Sequence, residues 1–263
     1  MAAESAAGSR TINPVEPLSS VVSMSILETK EVTKQFGGLT AVNRVSMHVD
    51  EGEIVGLIGP NGAGKTTLLN AIAGLNPPTS GRVRVFGEDT TGLTPEKMCH
   101  RGLSRTFQIP RPFPKMTALE NVLTAAIFGN QTEKVADPIA HARKMLEFVE
   151  FPVAEDIVSE SLNTVQLKRL DLARALASKP KLLFLDELAA GLTEGELTDI
   201  IKIIHKIQDT GVTILMVEHI MQLIMNVCER LVVIQFGSKI AEGPTQEVAQ
   251  DPRVAEAYLG KAH

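Results

Sequence analysis

The sequence predicts an α/β fold: a mixed, mostly parallel sheet with an N-terminal antiparallel β portion and an inserted helical lobe. Three observations predict it. A short apolar run, Ile54-Val55-Gly56-Leu57-Ile58, leads into the glycine-rich stretch Gly59 to Thr67, after which Leu68, Leu69, Ile72 and Ala73 recur at helical spacing up to a capping Gly74. Two later apolar runs, Leu182 to Leu185 and Val212 to Val217, end in acidic residues, as parallel strands buried on both faces do. Between them and the first half, from about 110 to 176, strand patterning gives way to helical periodicity.

In chain order, residues 1–24 are rich in Ala, Ser, Pro and Glu, lack the apolar centre of a signal peptide, and read as a flexible tail. Ile26 to Gln35 alternates weakly, reaches Phe36-Gly37-Gly38, and is followed by Ala41-Val42 and a strand around Val45 to Val49. Phe36 lies just upstream of the glycine-rich stretch, where an aromatic ring either stacks on a purine base or packs in a core.

The stretch Gly59-Pro60-Asn61-Gly62-Ala63-Gly64-Lys65-Thr66-Thr67 matches G-x-x-x-x-G-K-[ST]. Its glycines let successive backbone N–H groups turn toward a polyanion, and the following helix adds its positive end. With strand, loop and helix in that order, the pattern is that of a P-loop NTPase core. Asn61, Gly62, Ala63, Gly64, Lys65, Thr66 and Thr67 are therefore the candidate nucleotide contacts, with Lys65 on the β- and γ-phosphates and the Thr66 hydroxyl on Mg2+.

Asn76 to Gly81 is a turn, and Arg82 to Phe86 alternates as a half-exposed strand. Thr94-Pro95 opens a short helix, Ser104 to Ile109 is extended through Gln108, and Pro110, Pro112 and Pro114 make a stiff connector. In the lobe, Thr117-Ala118-Leu119-Glu120 is a capping box. Asp137-Pro138 starts a second helix with Ile139, Ala142, Leu146 and Val149 on one face, and Thr164 to Ala177 carries a stripe of Leu167, Leu170, Ala173 and Leu176. After Leu182 to Leu185, a second capping box at Thr193 to Glu196 opens a helix burying Leu197, Ile200, Ile201, Ile204 and Ile207. Residues 220–228 suit a helix, Leu231 to Ile234 a strand, and Thr245 to Leu259 two short helices broken at Asp251-Pro252.

Composition narrows the function. A net charge of −5 and a pI near 5.7 oppose a nucleic-acid footprint, and aromatics at 4% with no Trp oppose a base-stacking platform. Cys99 and Cys228 lie in unrelated segments without metal spacing and read as reduced thiols. No apolar run approaches the ~20 residues that cross a bilayer, so membrane contact is expected only through partners.

Hydrolysis of a phosphoanhydride needs neutralised γ-phosphate charge, a metal, and a group that orients or deprotonates water. Asp186 and Glu187 end an interior strand, where ligands of open α/β sheets bind; Asp186 suits the metal and Glu187 the general base. His219 ends another interior strand and is placed to reach the γ-phosphate edge, while Gln108 offers an amide oxygen to Mg2+ or to water. Taken singly, the acids also fit a solvated turn, the histidine a structural hydrogen-bonder, and the glutamine an ordinary surface residue.

The phosphate loop, Arg105-Thr106-Phe107-Gln108, Leu162-Asn163-Thr164-Val165-Gln166 followed by Lys168-Arg169-Leu170 and Leu172 to Leu176, Leu182 to Glu187, Ala190-Gly191-Leu192 and Glu218-His219 occur in one order. In that order the chain resembles, from about Ser25 to Gly260, the ATP-binding subunits of ABC transporters. The resemblance implies an ATPase domain over 25–263 with its lobe inserted at about 110–176, working with ATP and Mg2+ on the cytoplasmic face of the membrane. It also implies transmembrane permease subunits and a second ATP-binding subunit as partners, in a homo- or heterodimer. Each signature stretch, here including Asn163, Thr164 and Gln166, would close over the nucleotide of the other subunit. By the same resemblance Phe36 stacks on adenine, Gln108 couples metal to the transmembrane partner, Glu187 polarises water and His219 senses the γ-phosphate. Lys34 to Val42, Phe107 to Phe113, Ile240 to Gly243 and Glu256 to Gly260 are similar to the branched-chain amino-acid uptake group, although transporters of urea or other small solutes look alike.

The family pattern LSGGQ is here Leu162 to Gln166, with Ser and both glycines replaced. Cβ atoms at Thr164 and Val165 are expected to hinder approach to the γ-phosphate or to bar a φ > 0 conformation, with Asn163 donating in place of Ser and Thr164 capping the helix. Leu188 replaces a usual proline and Thr193 a usual acidic or amide residue. These departures predict an asymmetric pair. They also raise an alternative, an ATP-dependent switch with little hydrolysis. A small-molecule kinase has no use for Gln108, the signature helix and His219 together.

Overall fold

The computed structural model describes residues 25–259; the N-terminal segment read as a tail lies outside them. The elements are β1 (Ser25–Phe36), β2 (Leu39–Asp50), β3 (Ile54–Ile58), α1 (Lys65–Ile72), β4 (Ser80–Val85), β5 (Glu88–Asp89), α2 (Pro95–His100) and β6 (Leu103–Arg105). The lobe helices α3 (Ala118–Phe128), α4 (Pro138–Phe148) and α5 (Thr164–Ala177) come next. The chain then completes β7 (Leu182–Asp186), α6 (Glu194–Gln208), β8 (Thr213–Val217), α7 (Met221–Val227), β9 (Arg230–Gln235), β10 (Ser238–Pro244), α8 (Thr245–Ala249) and α9 (Pro252–Leu259).

Two sheets form, one of order β2-β1-β4-β5 and antiparallel, the other of order β10-β9-β3-β8-β7-β6 and parallel except for β10. In the parallel sheet, Val217 pairs with both Leu57 and Asp186. The carboxyl ends of β3, β8 and β7 thus lie side by side, and the loops they lead into emerge together at one edge of the sheet. Alternate residues of these strands enter two cores. Ile54, Leu183, Leu185 and Met216 pack with the lobe, α6 and α7; Leu57, Phe184, Leu215 and Val232 pack with α1 and the antiparallel sheet.

Local departures from the sequence expectation have local causes. The extended segment at Ser104 to Ile109 is a strand only through Arg105, because the Phe107 N–H turns away to donate to Asp171 Oδ2 at 2.9 Å. The capping boxes of α3 and α6 both close, with Thr117 and Thr193 as caps. In α4 the buried stripe starts a turn late: Ile139 is exposed and Ala142, Leu146 and Val149 are buried. In α6 Ile203 is buried and Ile201 only partly so. Gly56 sits mid-strand because a Cβ there would meet Leu231 Cδ2 at 2.6 Å and Cys228 Sγ at 3.0 Å.

Candidate functional site

The loop between β3 and α1 is held from both sides. A Cβ at Gly59 would lie 2.0 Å from Ile234 O, and one at Gly64, whose φ is 101°, would lie 2.4 Å from Ala41 O. Both glycines therefore let the loop press against β9 and β2. Gly237 N–H donates to Ala63 O at 2.9 Å, and Gly59 N–H donates to the Tyr258 hydroxyl at 2.8 Å. Lys65 Nζ folds back onto Gly59 O (2.7 Å) and Pro60 O (3.0 Å). Burial holds this ammonium below the ordinary lysine range, against the pull of Glu187 and Asp186.

Asn61 to Thr67 line a cleft of about 380 Å³ with Phe36, Leu39, Ala41 and Glu187. A Cβ at Gly62 would meet nothing within 4 Å, so the loop is open on this side. Backbone amides, the N-terminus of α1 and Lys65 make this opening suited to a polyphosphate. Phe36 is half exposed at the rim, with Lys34 Nζ 5.1 Å from its ring centroid. Its free ring face suits a purine.

Asp186 is buried at the end of β7 and takes Arg105 Nη2 at 3.0 Å; Arg105 also donates to Asn70 Oδ1 at 2.6 Å and stacks on Phe107 at 4.7 Å. Burial raises the Asp186 carboxyl above the usual range and Arg105 opposes that rise. Glu187 comes next in a left-handed conformation, φ 47°, its N–H bonded to Val217 O at 2.9 Å. Gln108 Nε2 donates to Glu187 Oε2 at 2.5 Å. Oxygen donors from Thr66, Gln108 and Asp186 match what Mg2+ takes when phosphates complete its shell. Among the described residues no cluster of three His, Cys, Asp or Glu side chains offers a different metal site.

The cleft thus unites Phe36, the phosphate loop and Glu187, with Gln108 bonded to Glu187 and Asp186 its neighbour in sequence. His219, Asn163, Thr164 and Gln166 are not part of its lining. His219 is exposed just past β8. Asn163 Oδ1 accepts from Gln166 N–H at 3.0 Å, and Gln166 Oε1 accepts from Asn163 N–H at 2.9 Å, a reciprocal box that caps α5. The cap is therefore Asn163, and Thr164 is the first helical residue. Thr164 and Val165 lie in a regular first turn and neither has a positive φ, so their Cβ atoms bar no required backbone conformation.

Sequence reasoning gives no individual role to four side chains around this site. Lys168 and Glu218 are buried charges behind Glu187, Asp171 fixes the Phe107 amide, and Tyr258 holds Gly59. Lys168 and Asp171, standing among the leucines and alanines of α5, are the available signal for two of them.

Fold and site together define a P-loop ATPase cassette. Residues 42–190 match the ABC transporter family, and residues 238–263 match the branched-chain amino acid ATP-binding cassette transporter family. The chain is 38% identical over 255 residues to the high-affinity branched-chain amino acid transport ATP-binding protein BraF of Pseudomonas aeruginosa, covering 92% of this chain and 100% of BraF. It is 33% identical to the corresponding protein LivG of Escherichia coli, covering 92% and 100%. A crystal structure of the ADP conformation of an ABC transporter ATP-binding cassette superposes with a TM-score of 0.81 at 34% identity, covering 91% of this chain and 100% of that one. A dimeric post-hydrolysis cassette bound to ADP and Pi superposes at 0.76 with 27% identity, covering 83% and 98%. The chain belongs to the ABC transporter family, as an ATP-binding subunit with ATPase activity. No helix among the described residues is long and apolar enough to cross a membrane.

Proposed function

We propose that this ATPase subunit powers uptake of branched-chain amino acids or a similar small solute, as one of two ATP-binding subunits docked on permease subunits at the cytoplasmic face of the membrane. The observation that carries the solute class is similarity along nearly the whole chain to branched-chain amino acid transport ATP-binding proteins, together with the match at 238–263. Residues 25–263 act as one ATPase domain whose lobe, at about 110–176, lies between β6 and β7.

In the proposed site the amides of Asn61 to Thr67 and the Lys65 ammonium bind the triphosphate, and Phe36 stacks on adenine. Thr66, Gln108 and Asp186 would hold Mg2+, which when bound neutralises charge on the β- and γ-phosphate oxygens. Glu187 orients a water against the γ-phosphorus and accepts its proton as the bond to ADP breaks. His219 stabilises γ-phosphate charge once the pair closes. Asn163, Thr164 and Gln166 face the other subunit's nucleotide, and Asn163 Nδ2 is the group left to donate there.

The switch alternative is not supported: the altered signature residues form a regular capped turn, and the similar proteins are transport ATP-binding proteins. The complex purified from a membrane extract identifies the partners. ATP turnover by that complex should fall to a small residual rate, about a hundredfold or more below wild type, on Glu187→Gln while ATP binding persists, and vesicles holding the wild-type complex should accumulate labelled leucine. Undiminished turnover in the variant refutes the assigned base, and no leucine uptake refutes the solute class.

A further inference from the structure

The segment that carries Glu187 is gripped by two buried charges that no assigned role uses. From α5, Lys168 Nζ donates to Leu188 O (2.8 Å), Ala190 O (2.5 Å) and, at 3.4 Å, Glu187 O. From the end of β8, Glu218 Oε1 accepts from Ala189 N–H at 2.8 Å, and its Oε2 accepts from His219 N–H at 3.2 Å. Lys168 is 4% exposed and Glu218 1%. Four consecutive residues therefore have their backbone groups taken by one cation on one side and one carboxylate on the other. Burying either charge is costly unless partners of this kind satisfy it, so the pair is kept for what it positions rather than for stability.

We propose that Lys168 and Glu218 are positioning residues that hold the Glu187 loop and His219 in one frame, and that Lys168 ties this frame to the first turn of the signature helix. Glu187 needs such support. Its left-handed φ of 47° is unfavourable for a residue with a Cβ, and the carbonyl contacts from Lys168 begin at Glu187 itself. Lys168 stands two residues past Gln166, so a displacement of the Asn163–Gln166 turn is passed along α5 to the loop that carries the base. Neither side chain lines the nucleotide cleft. The effect therefore falls on turnover and spares ATP affinity.

The inference rests on Glu187 as the water-activating group, and a double-variant cycle in the full chain with its copurified partners separates the two claims. Lys168→Met is expected to lower kcat about tenfold or more with the Kd for ATP within about twofold of wild type. Glu218→Gln keeps an acceptor for Ala189 N–H but removes the charge facing Lys168, and is expected to lower kcat several-fold, again at unchanged Kd. In the Glu187→Gln background, Lys168→Met is expected to change the residual rate less than about twofold, because Lys168 acts through that carboxylate. Wild-type kcat in both single variants, parallel loss of kcat and ATP affinity, or additive loss in the Glu187→Gln background overturns the proposal. If Lys168→Met does not fold, Glu218→Gln alone decides by the same split. Full turnover in Glu187→Gln itself defeats the assignment of the base and is distinct from all of these.

Discussion

The side-chain amide of Gln108 donates to the carboxylate of Glu187 at 2.5 Å, across 79 positions of sequence. The segment expected to respond to a membrane partner is thus bonded to the residue expected to activate water. A carboxylate oxygen that accepts this N–H has less of its accepting capacity left for a water. Movement of the Gln108 segment is then a means of switching Glu187. Gln108→Ala should lower ATP turnover, since Gln108 is also assigned to Mg2+, and beyond that loss should reduce transport per ATP by about tenfold. Paired ATPase and uptake assays on vesicles test this; wild-type coupling in the variant would rule it out.

Lys65 contributes to the loop as well as to its ligand, through the two carbonyls of Gly59 and Pro60. Charge-assisted hydrogen bonds are worth roughly 1.5–3 kcal/mol each, so Lys65→Ala should weaken ATP binding by on the order of 10²-fold or more. Calorimetric titration with ATP reads this directly, and retained affinity contradicts the assignment.

Asp171 gives a pH test. Burial pushes its carboxyl up from 3.8 to about 6, countered by the Phe107 N–H, Arg174 and Arg105. The folded value is the higher one, so the fold takes up a proton that the unfolded chain releases. The contribution is fully present below about pH 4 and is lost as pH rises through about 6. The stability of the wild type minus that of Asp171→Asn should therefore fall by on the order of 3 kcal/mol between pH 4 and pH 8. Denaturant unfolding across that range measures it; a difference independent of pH means that Asp171 does not titrate in this window.

Thr164 and Val165 need no unusual backbone, so whatever they impede they impede by bulk. Replacing both by glycine should raise hydrolysis of the nucleotide they cover, at a cost to α5 of about 1 kcal/mol per substitution. Single-site turnover in a complex whose other site carries Glu187→Gln or its counterpart resolves the two nucleotides. An unchanged rate makes the altered signature harmless.

The parts legible in sequence are those whose local pattern matches their environment. β3, β7 and β8 are buried along their whole length, and so appear as nearly continuous apolar runs ending where ligands bind. The alternation of β1 is faint because its pairing register shifts around Glu31, which takes a φ of 50°. The leucine stripe that periodicity assigns to α5 is too narrow. Lys168, Arg169 and Asp171 are buried beside the leucines, and Leu167 is only partly covered. Their partners are largely backbone groups of other segments, among them the carbonyls of Val149, Glu150 and Leu188 and the amide of Phe107. Such pairings leave no periodic trace in sequence.

The bond from Gly59 N–H to the hydroxyl of Tyr258 spans 199 residues. On a ribosome the glycine-rich turn therefore emerges long before its last support, and β3 waits equally for β8 and β9 to flank it. Nucleotide has little to grip on the nascent polypeptide. It adds its binding energy only once Tyr258 has been made, which makes ligand capture a late seal on this fold rather than a seed for it.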